Sequence, residues 1–182
     1  MTMVTAMTLR VLKASVVLAC VGLVGGCSPA LDWREVRPSG TRLLALLPCK
    51  AVVQQRQVPL AGQNVLLRLH ACTAGGRTWG LAHADVVDPT LLRAALDEWR
   101  AAAVNNIGAV NPSVLPLQVP GATPHAASAR VVLAGARPDG QPVEMQLAVF
   151  VYGTHVFQAS VLGARATGED AANFFSNLRF AP

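Results

Sequence analysis

The chain has 182 residues, is 52% hydrophobic and 14% charged, and carries a formal net charge of +5 with a mean hydropathy of +0.40. Globular chains run about 45–50% apolar and about 25% charged, so this composition excludes a disordered chain and a charged tail protein. With 12 Pro, 15 Gly and no apolar run of eighteen residues it also excludes a polytopic membrane protein, while its length allows one domain with a real core. The excess hydrophobicity lies at the start. Residues 1–13 carry Arg10 and Lys13 and no acid, and a mostly apolar run follows from Ala14 to Gly26. A basic stretch, a short apolar run and small residues before a cut are the pattern of a secretory signal peptide. At about 1.5 Å per residue the run spans roughly 20 Å, short of the ~30 Å hydrocarbon core of a bilayer.

The residues Val24-Gly25-Gly26-Cys27 resemble the lipobox of bacterial lipoproteins, with Val where Leu is commoner at the first position. That resemblance implies diacylglycerol on the Cys27 sulfur, cleavage before Cys27 and usually a third acyl chain on the new amino terminus. Each buried methylene contributes ~0.8 kcal/mol, so two or three chains hold a protein stably where one does not. Ser28, rather than Asp, follows the lipidated position and implies sorting to the outer membrane of a Gram-negative bacterium, facing the periplasm. The expected organisation is a signal peptide over 1–26, a tether over 27–40 and a single domain over 41–182. Loss of Arg10 and Lys13 lowers the net charge from +5 to +3, and the remaining basic residues are scattered. Nucleic acid is therefore not an expected partner.

After a tether containing Trp33, the run Leu43 to Leu47 reads as a strand stopped by Pro48, and Val52 to Val58 as a less apolar edge strand. A turn at Pro59–Gln63 leads into Asn64–Thr73, where Val65, Leu67, Leu69 and Ala71 alternate against Arg68, His70 and Cys72. Gly75-Gly76 predicts a hairpin turn into Arg77–Val86, giving an antiparallel meander with one wet face. Asp88-Pro89 opens a helix whose Leu92, Leu96, Trp99, Ala103 and Ile107 form one apolar stripe, stopped by Gly108. Asn111–Pro124, with four Pro, reads as a long loop. Strands follow over Ala129–Ala136, Val143–Tyr152 and His155–Leu162, then a short helix from Gly168 with Ala171, Phe174, Phe175 and Leu178 on its apolar side. Runs of strands with segregated helices mean an α+β fold, a largely antiparallel sheet with two helices packed on it.

Two cysteines remain once Cys20 leaves with the signal and Cys27 takes lipid. In an oxidising compartment Cys49 and Cys72 read as one disulfide. The rivals are a pair of buried free thiols and a metal site built from Cys72, His70 and His83. The metal site lacks any CxxC, HxxxH or Met cluster to support it. No nucleophile elbow, P-loop, dinucleotide fingerprint or HExxH occurs, so no catalytic residue, metal ligand or cofactor is assigned. His70, Trp79 and His83, brought together by the expected hairpin, form the one candidate binding patch.

The element order, with Leu46-Leu47-Pro48 after the first strand and Val156-Phe157-Gln158 leading to Phe174-Phe175-Ser176-Asn177-Leu178, resembles exported domains of the PsbP-like type and small lipoproteins of proteobacteria. Over roughly residues 41–180 this resemblance implies a compact sheet-and-helix fold used for binding or assembly, and it brings no catalytic residues. The sequence thus leads to a non-catalytic envelope lipoprotein, held to the membrane by lipid and binding an envelope protein or a small apolar ligand. The alternative is a small envelope enzyme or metal-handling protein whose site has no motif.

Overall fold

The computed structural model describes residues 31–182; the signal segment, Cys27 and Ser28 lie outside them. In chain order the strands are β1 (Arg34–Val36), β2 (Leu43–Leu47), β3 (Val52–Leu60), β4 (Gln63–Ala74) and β5 (Arg77–Asp85). A 3-10 turn (Pro89–Leu91) leads into α1 (Leu92–Ile107), and β6 (Ser113–Leu115), β7 (Ala129–Ala136), β8 (Pro142–Tyr152) and β9 (His155–Gly163) follow. The chain ends with α2 (Glu169–Ser176) and β10 (Arg179–Phe180). The fold is α+β, with antiparallel strands in a seven-stranded sheet ordered β3-β4-β5-β9-β8-β7-β6 and a three-stranded sheet ordered β1-β2-β10.

Local chemistry fixes the hairpins. Gly75 and Gly76, both at positive φ, join β4 to β5 in a two-residue turn that pairs Ala74 with Arg77. Such primed turns match the right-handed twist of the strands they connect. Asp88 accepts hydrogen bonds from the Thr90 amide and hydroxyl, so the expected cap stands over the 3-10 turn and α1 begins at Leu92. Gly108, at φ 58°, ends α1 in the left-handed conformation. The predicted stripe Leu92, Leu96, Trp99, Ala103 and Ile107 is buried throughout.

The sheet has two cores. On one face α1 lies over Leu133, Leu147, Val149 and Val156. On the other, Trp79, Leu81, Phe150 and Phe157 meet Leu43, Ala45 and Leu47 of β2, Phe174 and Phe175 of α2, and Phe180. Each fully buried large side chain contributes roughly 1.5–3 kcal/mol, so both layers add to the stability of the sheet between them. This corrects the single wet face expected of the meander: the polar side of the alternation is itself roofed by the small sheet and α2. Within the segment expected to be a tether, Trp33 packs edge-on against Trp79 at 6.0 Å and Arg34–Val36 pairs with β2. The Cys49–Cys72 disulfide is formed, with a Cα–Cα distance of 5.9 Å, and joins the end of β2 to β4. Among the described residues no helix is long and apolar enough to cross a membrane.

Candidate functional site

Strand register assembles a column of imidazoles. Arg68 pairs with His83, His83 with Phe157, and Asp85 with His155, so residues two apart on neighbouring strands lie diagonally on one face. The His70 and His83 rings are 6.4 Å apart at 22°, and the His83 and His155 rings 6.3 Å apart at 26°. Phe157 lies 5.8 Å from His83 and continues the ring row to Phe150. Two members of the expected patch thus come together, and His155 joins them. Trp79 does not; it packs against Trp33 and Phe174 further along β5.

All three expected residues are buried: Trp79 is 0%, His83 1% and His70 8% exposed. They are buried side chains, where the expected hairpin put them on a strand surface. His70 Nε2 and both ring nitrogens of His83 make no hydrogen bond among the described residues. Burial, with the Arg68 guanidinium and the His155 and His70 rings around it, lowers the His83 pKa to about 4. Burial also lowers that of His70. The rings are therefore neutral near pH 7. Burial pushes the Asp85 carboxyl upward, but hydrogen bonds from the Thr154 hydroxyl and the Val87 amide, with His155 nearby, leave it below its ordinary value.

The column offers little chemistry. Near-parallel rings more than 6 Å apart do not aim nitrogens at a shared point, and no group of three His, Cys, Asp or Glu among the described residues is placed to hold a metal ion. Asp85 is engaged by Thr154 rather than by a ring, so it does not orient a histidine as a base. A second buried polar group is structural too. Gln146 accepts from Arg130 and donates to the Ala166 carbonyl, while the Arg130 guanidinium lies 4.2 Å over the Phe175 ring.

Two of the concavities lie at opposite ends of the sheet. At the β8–β9 turn, Arg42, Tyr152, Thr154 and His155 line a cavity of about 340 Å³. At the opposite end, where the β4–β5 and β7–β8 turns lie, a more apolar cavity of about 590 Å³ opens past the last turn of α1. Ile107, Val143, Met145 and Leu162 form its apolar lining, with Thr78, Arg137 and Asp139 at its polar positions. Sequence reasoning missed this cavity. Its signal was the helical stripe ending at Ile107 while β8 and β9 extend beyond it. Leu31, the first described residue, reaches this same end: its Cδ2 lies 3.2 Å from where a Cβ on Gly75 would stand. No family model matches the chain, and no curated protein sequence is recognisably similar to it.

Proposed function

We propose that the protein is an envelope lipoprotein, anchored through Cys27 to the periplasmic face of the outer membrane, whose domain is a non-catalytic binding module for an apolar ligand. The observation that carries this reading is where the chain enters the fold. Leu31 sits four residues after Cys27, against the β4–β5 turn, at the end of the sheet where the apolar cavity opens. A lipid on Cys27 holds that end toward the bilayer, and a volume of about 590 Å³ lies within the roughly 300–1,000 Å³ of small-molecule sites. The Cys49–Cys72 bond supports an oxidising compartment.

Intact-mass analysis of the protein extracted from envelope membranes tests the anchor. A chain beginning at an acylated Cys27 is expected, and an unacylated Cys27 overturns it. Titration with a fluorescent fatty acid tests the module: binding is expected, with loss in a Leu162→Asp variant that still melts cooperatively. Failure to bind, or equal binding by that variant, overturns the cavity as the site.

A further inference from the structure

Strand β3 ends the seven-stranded sheet and is paired on one side only, with β4, through nine consecutive residue pairs from Val52–Ala71 to Leu60–Gln63. Its first six residues are exposed on both faces, Val52 at 63% and Val53 at 59%. Exposed edges are normally blunted by short length, Pro, bulges or several charges. Here the pairing is unbroken, Pro59 comes only at the far end, and Arg56 is the single charge. The other edge, β6, has three residues.

The sequence of this edge offers one register in which its ends match. In Val52-Val53-Gln54-Gln55-Arg56-Gln57-Val58, a two-fold axis through Gln55 sets Val52 against Val58, Val53 against Gln57, Gln54 against Arg56 and Gln55 against itself. An axis one residue later, through Arg56, would set two guanidiniums directly opposite, which is destabilising. The Gln55 axis avoids that repulsion. It also matches apolar with apolar at both ends: Val52 and Val58 lie on the face shared with Val65, Leu67 and Leu69, so the pairing extends that strip across the junction.

We propose that β3 is a homodimerisation edge, in which two copies pair antiparallel about Gln55 to give one continuous fourteen-stranded sheet. The interface is isologous, as two-fold dimers require, and none of its residues lines the apolar cavity. Its source of affinity is the main-chain ladder, with the valine pairs and the avoided arginine pair selecting the register.

Site-directed cross-linking of the purified full-length protein tests the axis. Antiparallel partners have Cα atoms about 4.5 or 5.5 Å apart, and a disulfide spans either distance. Gln55→Cys, exposed and outside both cores, is expected to give a disulfide-linked homodimer on oxidation. Wild type run beside it accounts for any link through other cysteines, and Arg56→Cys, off the axis, is expected to link far less. Light scattering should give twice the chain mass for wild type. Gln55→Lys should weaken the dimer several-fold at an unchanged melting temperature. A monomeric wild type, or Arg56→Cys linking as readily as Gln55→Cys, overturns the proposal.

Discussion

His83 is the residue whose replacement tests most of the electrostatic reasoning. It is 1% exposed, between Phe157, His70 and His155, and its ring nitrogens have no partner among the described residues. Its pKa is about 4 in the fold against an ordinary 6.5. As pH falls below 6.5 the unfolded chain takes up a proton that the folded chain refuses, so stability present above pH 6.5 is lost toward pH 4. At 1.36 kcal/mol per unit the full loss is about 3 kcal/mol, of which about 2 kcal/mol has gone by pH 5. His83→Leu removes the proton site at similar volume. Urea unfolding of both proteins, followed by tryptophan fluorescence at pH 7 and pH 5, isolates the effect. Whatever the packing cost of Leu at pH 7, the variant should gain about 2 kcal/mol on wild type between the two pH values. Parallel curves for the two proteins would refute the reading of His83 as a buried neutral ring. Arg68→Gln, by removing the charge paired across from His83, should shrink the wild-type acid loss without abolishing it.

Other outcomes follow from packing and backbone. Replacing Cys49 and Cys72 by Ser opens a loop with a sequence separation of 23 and should cost about 3 kcal/mol, read as a lower urea midpoint matched by wild type under reductant. Gly135→Ala should cost roughly 3 kcal/mol by thermal denaturation, because a Cβ there would stand 2.0 Å from the Ile107 carbonyl oxygen and push α1 off the sheet. Trp99→Ala empties the centre of the α1 interface and should cost about 3–5 kcal/mol by the same measurement. Val87 is β-branched, exposed and held at φ 59° between β5 and the Asp88 cap, so Val87→Gly should stabilise the protein by about 1 kcal/mol.

The long elements were legible because each carries its own period. The stripe from Leu92 to Ile107, the Val65–Ala71 alternation and the glycine pair at the β4–β5 turn each specify structure within a few residues. Strands β1, β6 and β10 were not, since two or three residues hold no period and exist only by pairing with β2 and β7. The same limit explains the histidines. Alternation placed His70 and His83 together on one face, but the core on that face is closed by residues from both ends of the domain, such as Leu43 and Phe180. Arg179 pairs with Leu44 across nearly the whole domain, and no local signal announces it. The two-residue turn at Gly153-Thr154 fixes only the β8–β9 register, which pairs His155 with Tyr152, whereas its place beside Asp85 comes from the non-local β5–β9 pairing.

The first backbone bond of the described chain has a mechanical consequence. The Asp32 amide donates to the Pro48 carbonyl, one residue from Cys49, which is covalently joined to Cys72 in the large sheet. Tension arriving along the amino-terminal segment therefore reaches the β1–β2 ladder beside a covalent clamp. The small sheet is spared as a weak link, because force crosses to β4 through sulfur rather than through side-chain packing. With the disulfide reduced, the same pull would peel β1 and β2 from the sheet face that carries Trp79. A protein tugged at its amino terminus would then open its second core before its first.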